Sequence, residues 1–346
     1  MGHELRSVAD YQKALKKGLA SKQHNRRIGM HGVNGRGSAW TIVLAGGDGL
    51  RMKEFIKRRL GYEKPKQYCA FTGKRSMFQH TLDRAAKLTP WGRVVIVAAR
   101  DHQDEVWSQL DGRPVGMVLL QPKNLDTAAG IFLPLTFILA RDPHAMVMIY
   151  PSDHFIHPED RFVAAVGHAV WGSKLVGGSP VLLAAKPDNL ELEYGWIKPG
   201  RFLGWTGMAP VQAVETFFEK PDEVTARAGW ASGSLWNTMI IAAKAKALWS
   251  LGWKCFPDMM RLFERLKEAI DTAEELRVLN AIYEAMPRRN FSSDLLQCVP
   301  GQLAVMEMRD ILWSDWGHPA RIADTLENIG KQPVFAEGRL PFLYQG

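Results

Sequence analysis

Thr41 to Lys66 reads TIVLAGGDGLRMKEFIKRRLGYEKPK, a short apolar run that breaks into glycines and then into a dense set of cations. Thr41-Ile42-Val43-Leu44-Ala45 is β-branched and apolar and too short to favour a helix, so it reads as a buried parallel strand. Gly46, Gly47 and Gly49 follow at once. Residues without Cβ let backbone N–H groups approach and cradle phosphate oxygens. Arg51, Lys53, Lys57, Arg58, Arg59, Lys64 and Lys66 set seven positive charges against Asp48, Glu54 and Glu63, which reads as a polyanion site. The plainer alternative is a tight strand-to-helix turn followed by a solvated basic face. Neither of two common glycine loops fits: the third glycine of the dinucleotide fingerprint is missing after Gly47-Asp48-Gly49, and no Gly-Lys-Ser/Thr ends the loop.

Working outward, apolar runs and helical periodicities alternate. Ser76 caps a helix to Leu88, and Arg93–Ala99, Gly116–Leu120, Ala145–Tyr150 and Pro180–Ala185 read as strands. Helices are expected over Asp101–Leu110, Thr127–Ala140 and Pro158–Lys174. Such repeats make right-handed crossovers and a mostly parallel sheet with helices on both faces, with ligands at the carboxyl ends of the strands. Tyr194–Gly200 and Val211–Phe218 change style and read as a hairpin, and Ala245–Met286 is helical almost throughout. The expected fold is therefore α/β, a Rossmann-like mostly parallel sheet flanked by helices, with a β-hairpin portion and a helical C-terminal part. Its expected limits are a flexible basic extension over 1–38, one domain over 39–330 and a tail over 331–346.

The 346 residues carry a formal net charge of +8, but the basicity is local. Residues 1–40 hold eight Lys/Arg and two acids (+6), residues 41–66 seven and three (+4), and the remainder sums to −2. A short amphipathic helix over Val8–Leu19 and a glycine-rich linker are expected in the basic extension, without a nucleic-acid partner. No signal-peptide core and no stretch of about 18 apolar residues occurs, so a cytoplasmic location is expected. Cys69, Cys255 and Cys298 are scattered and read as reduced thiols rather than zinc ligands or disulfides.

LAGGDGLRM followed by Pro65-Lys66-Gln67-Tyr68 resembles the signature of the sugar-1-phosphate nucleotidyltransferases, most closely the mannose-1-phosphate guanylyltransferases. Gln121-Pro122 to Thr127-Ala128 resembles the family's purine-contacting motif, with Gln121 where a glutamate is usual and Leu125 where an arginine is common. Pro151-Ser152-Asp153-His154 and Trp313-Ser314-Asp315-Trp316-Gly317 resemble its two acidic motifs. Gly195, the Phe218-Glu219-Lys220-Pro221 run and Trp236-Asn237-Thr238 resemble its sugar-site motifs, with Met239 where a glycine is expected.

The resemblance implies transfer of a nucleotidyl group from an NTP, GTP foremost, to a sugar 1-phosphate, mannose 1-phosphate foremost, with Mg²⁺ as cofactor. It implies Arg51 and Lys66 as the catalytic cations and Asp153 and Asp315 as metal ligands. Leu44, Ala45, Gly46, Gly47, Gly49, Gln121, Thr127 and Ser152 would bind the nucleotide, and Gly195, Glu219, Lys220 and Asn237 the sugar phosphate. The alternatives are uridylyl or thymidylyl transfer to glucose 1-phosphate and a catalytically weak nucleotide-sugar-binding relative. Oligomeric state, with a homodimer open, is not written in the sequence.

Overall fold

The computed structural model describes residues 39–331. The expected basic extension with its helix and linker, and all but the first residue of the expected tail, lie outside the described residues. Eleven strands are present there: β1 (Ala39–Ala45), β2 (Val94–Ala99), β3 (Met117–Gln121), β4 (Met146–Pro151), β5 (Phe155–His157), β6 (Val181–Ala185), β7 (Gly195–Trp205), β8 (Pro210–Glu219), β9 (Leu235–Lys244), β10 (Ala304–Glu307) and β11 (Leu312–Ser314). Nine form one sheet in the order β3-β2-β1-β4-β9-β6-β10-β8-β7, and β7 also pairs with β9. Strands β1 to β4 are mutually parallel, as are β6 and β10, while β9 runs against β4, β6 and β7, and β8 against β10 and β7. Seven of the nine strands therefore run in one sense. The sheet is mixed but mostly parallel, and its second half closes into a ring of pairings around β9-β6-β10-β8-β7.

Alternation along β1 shows why both faces need covering. Trp40 and Ile42 enter one core and Val43 and Ala45 the other. Fully burying a side chain such as Ile42 or Val43 is worth about 1.5–3 kcal/mol, so a strand apolar on both faces is stable only between two layers. Helices α1 (Leu50–Leu60), α2 (Met77–Leu88), α3 (Gln103–Leu110), α4 (Asp126–Arg141), α5 (Glu159–Leu175), α6 (Glu223–Ala231), α7 (Ala245–Cys255), α8 (Pro257–Ala269), α9 (Glu275–Ala285), α10 (Phe291–Asp294) and α11 (Pro319–Asn328) supply them. Phe132, Leu248, Phe263 and Tyr283 of α4 and α7–α9 pack on one face, and Phe78, Val106 and Phe162 of α2, α3 and α5 on the other. Among the described residues no helix is long and apolar enough to cross a membrane.

Two elements depart from the sequence reading. The cation-rich stretch is helix α1, which starts from left-handed Gly49 and ends on left-handed Gly61, whose N–H bonds the Lys57 carbonyl. Met52 and Ile56, four residues apart, bury one face of α1 against Trp316, Ile322 and Leu326. Strand β9 lies antiparallel between β4 and β6, although only its Trp236-Asn237-Thr238 start is legible as a motif. Ser76 caps α2 as expected, in a full capping box with Gln79.

Candidate active site

The glycine loop leaves the carboxyl end of β1. The loop passes close to the end of β3: a Cβ on Gly46 would lie 2.8 Å from Gln121 Nε2, which would have to shift, and 3.4 Å from the Ala99 backbone nitrogen. Gly49 needs its left-handed φ of 60°, and a Cβ there would stand 3.3 Å from the Lys66 backbone nitrogen. Gly47 faces open space. The Gln67 amide donates to the carbonyls of Ala45 (3.0 Å) and Gly47 (2.8 Å), and the Tyr68 hydroxyl donates to Ala45 (3.0 Å), which fixes the loop from below. No side chain caps α1 and no acid occupies its first turn. Gly49, Leu50, Arg51 and Met52 line the cleft, so the start of α1, whose Met52 N–H closes onto the Gly49 carbonyl at 3.0 Å, is a helix terminus suited to an anion.

Only two of the seven cations of the opening stretch sit among the cleft's acidic groups. Lys53 and Lys57 bridge to Glu63 at 2.9 and 3.2 Å, and Lys64 pairs with Glu105 at 2.9 Å. Lys66 is buried, with its ammonium 3.0 Å from Asp153 Oδ2 and donating to the main-chain carbonyl of Asp315. Arg51 Nη2 lies 2.8 Å from Asp315 Oδ2, while Asp315 Oδ1 accepts from the Tyr194 hydroxyl and from the Gly317 N–H at 2.8 Å. Burial alone would raise the Asp315 carboxyl, but Lys66, the Tyr194 hydroxyl and Arg51 outweigh it and hold it down to about 2. Asp153 is likewise held below the usual range, burial being outweighed by Lys66 and His154. Burial pushes His154 down to about 4, and the Trp313 indole N–H donates to its Nδ1 at 3.2 Å, which makes it a neutral imidazole protonated on Nε2.

A two-stranded ribbon brings these acids together. Strand β5 follows Asp153 by two residues, β11 ends one residue before Asp315, and Ser314 pairs with Phe155. Both carboxylates therefore leave the same end of the β5–β11 ribbon. Trp316, itself at φ 48°, stacks on Phe155 with centroids 4.5 Å apart.

Beside the loop, a cavity of about 230 Å³ is lined by Leu44, Gly46, Gly47, Val97, Gln121, Thr127 and Gly130. Gln121 Oε1 accepts from the Tyr283 hydroxyl at 3.2 Å, which turns its Nε2 towards Gly46. Leu125 is buried in the core and gives the cavity no charge. Thr127 Oγ1 is engaged by the Phe291 N–H at 2.8 Å, and buried Ser152 ties its own N–H to the Leu44 carbonyl at 3.0 Å, behind the loop. A larger cleft of about 450 Å³ holds Gly49, Arg51, Lys66, Asp153, Glu193 and Lys220.

Gly195, Glu219 and Asn237 converge where β7, β8 and β9 meet. A Cβ on Gly195 would stand 2.8 Å from Glu219 Oε2 and 3.1 Å from Asn237 Cβ. Burial pushes the Glu219 carboxyl up to about 7 against the opposing pull of Lys220. Lys220, at φ 48°, reaches Glu193 at 3.3 Å. Met239 keeps the left-handed conformation, φ 56°, and its N–H bonds Asn237 Oδ1 at 3.1 Å. Tyr194, Gln67, Glu193 and Arg288 also line or brace the site. Gln67 lies inside the quoted Pro65–Tyr68 motif and Tyr194 directly precedes Gly195, so both were within reach of sequence reasoning; nothing local marks Glu193 or Arg288.

A family model described as nucleotidyl transferase matches residues 40–332. The chain is 31% identical over 306 residues to mannose-1-phosphate guanylyltransferase RfbM of Salmonella typhimurium, covering 85% of this chain and 61% of that protein. It is 29% identical over 301 residues to xanthan biosynthesis protein XanB of Xanthomonas campestris, covering 84% and 60%. The chain thus spans about three fifths of the curated relatives it matches. Among solved structures, one described as a mannose-1-phosphate geranyltransferase from Thermus thermophilus superposes with a TM-score of 0.71 at 22% identity, covering 85% of this chain and 80% of that one. At that identity the likeness speaks for the fold.

Proposed function

The chain belongs to the nucleotidyl transferase family, and from that premise we propose that it transfers a nucleotidyl group from an NTP to a sugar 1-phosphate, with GTP and mannose 1-phosphate as the favoured pair. A phosphate oxygen of the sugar 1-phosphate attacks the α-phosphorus in line; the bond to the β-phosphate oxygen breaks and pyrophosphate leaves with the electron pair. The observation that carries this reading is the placement of Lys66 between Asp153 and Asp315 beside a glycine loop and an uncapped helix terminus. Such chemistry needs positioning and neutralisation of charge more than proton transfer.

In this reading Lys66 holds the α-phosphate and Arg51 turns from Asp315 to the β- and γ-phosphates. Asp153 and Asp315 fit Mg²⁺, since both are oxygen donors held ionised and Mg²⁺ is commonly bound by one or two carboxylates plus substrate phosphates. When bound there it would neutralise charge on the phosphates. The base occupies the cavity beside Gln121, whose amide replaces a carboxylate as the group facing the ring edge. Gly195, Glu219 and Asn237 receive the sugar, and Lys220 its phosphate. The favoured base and sugar rest on the relative RfbM, described as a mannose-1-phosphate guanylyltransferase.

The experiment is pyrophosphate release with Mg²⁺, crossing GTP, UTP, dTTP, ATP and CTP against mannose-, glucose-, galactose- and fucose-1-phosphate. Turnover peaking at GTP with mannose 1-phosphate supports the pair. A peak at UTP or dTTP with glucose 1-phosphate replaces it, and silence with nucleotide binding intact points to a non-catalytic relative.

A further inference from the structure

We propose that Arg288 is a nucleotide-phosphate-binding residue, its guanidinium closing the seam between the base cavity and the phosphate cleft; the proposal rests on the nucleotidyl-transfer reading. The two cavities share Asn124 and Arg288. A nucleotide reaching from Gln121 to Asp153 must lay its ribose and α-phosphate across that seam. Asn124 is already engaged there: its Nδ2 donates to Asp48 Oδ2 at 3.0 Å and its Oδ1 accepts the Asp126 N–H at 2.9 Å. Arg288 is not, since only its Nε has a partner among the described residues, Asp126 Oδ2 at 3.3 Å, and its side chain is 70% exposed. Its two outer nitrogens form the fork that binds phosphate oxygens in pairs.

The loop that carries Arg288 is pinned. Asn290 Nδ2 donates to Asp126 Oδ1 at 3.0 Å, the Phe291 N–H to Thr127 Oγ1 at 2.8 Å and the Ala128 N–H to the Arg289 carbonyl at 3.1 Å. Asp126, at φ 71°, holds both the loop and the Arg288 Nε. A guanidinium anchored through Nε with its outer edge free is preorganised for an anion, which reduces the entropy lost on binding.

The test compares wild type, Arg288→Gln and Arg288→Lys for equilibrium binding of GTP, GDP and guanosine, and for KM of GTP and mannose 1-phosphate, with another triphosphate and its nucleoside substituted if the wild type prefers it. Losing a charge-assisted phosphate contact should weaken GTP and GDP binding about ten- to hundred-fold in Arg288→Gln, with Arg288→Lys in between. Guanosine affinity, the sugar-phosphate KM and the melting temperature should stay unchanged. Undiminished GTP binding in Arg288→Gln, or an equal loss for guanosine, overturns this assignment while leaving wild-type turnover to support the parent reading. A wild type that neither binds nor turns over any of the five triphosphates overturns both.

Discussion

Arg51 Nη2 rests 2.8 Å from Asp315 Oδ2, so the proposed phosphate clamp is paired with a proposed metal ligand. The Arg51 side chain is 44% exposed and Asp315 only 10%, which makes the arginine the partner free to swing away. Arg51→Gln should lower turnover about 10²–10³-fold, the scale for losing one preorganised charge in such a site. The same variant should bind Mg²⁺ more tightly than wild type in the absence of nucleotide, by titration calorimetry. An unchanged Mg²⁺ affinity would show that the two cations do not compete for Asp315.

Lys66 is the most buried cation of the cleft, and Asp153 is its carboxylate partner. Asp153→Asn should bring turnover to background at any practical Mg²⁺ concentration. It should also cost roughly 1–3 kcal/mol of stability in urea denaturation, since Asp153 is over a third exposed and the pair is only half desolvated. Near-normal turnover would remove Asp153 from the chemistry.

Glu219, with its carboxyl pushed up to about 7 from 4.5, binds a proton more tightly folded than unfolded. Stability therefore falls as pH rises from about 4.5 to about 7 and is flat beyond, the sign set by the folded state holding the extra proton in that window. Glu219→Gln should remove this slope, so that its melting temperature gains on wild type as pH climbs through the window. The KM for sugar 1-phosphate should likewise lose a titration near pH 7 in the variant; ionisation of the sugar phosphate itself is common to both proteins and cancels. A parallel pH profile for the two would detach Glu219 from the sugar site.

Met239 holds a backbone conformation that costs an L-residue about 1–2 kcal/mol. Met239→Gly relieves that strain but removes side-chain packing, so its stability should stay within about 1 kcal/mol of wild type. A β-branched side chain is worst tolerated at such a φ, and Met239→Ile should be at least about 2 kcal/mol less stable than Met239→Gly by denaturant unfolding. Equal stabilities would mean that the backbone at 239 relaxes freely.

The α/β layering was legible because strands such as Arg93–Ala99 and helices such as Ser76–Leu88 carry period and caps within their own residues. Strand β9 was not, because Leu235–Lys244 is buried along nearly its whole length and shows no alternation, and because a non-sequential antiparallel insertion leaves no local mark. The cations of α1 were overread for a related reason: composition counts charges but does not say which side of a helix they occupy. Glycine positions were better guides, since Gly46, Gly49 and Gly195 each mark a close approach or a left-handed turn. Arg288 is silent in sequence because its place depends on hydrogen bonds from a loop about 160 residues away from Asp126.

The β5–β11 ribbon is three residues wide on each side. Short pairings of this kind open more readily than a nine-stranded sheet. Fraying of this seam would part Asp153 from Asp315 while the sheet stayed folded, so heat or mild denaturant should abolish the proposed nucleotidyl transfer before the chain unfolds, and amide exchange across residues 312–317 should quicken first.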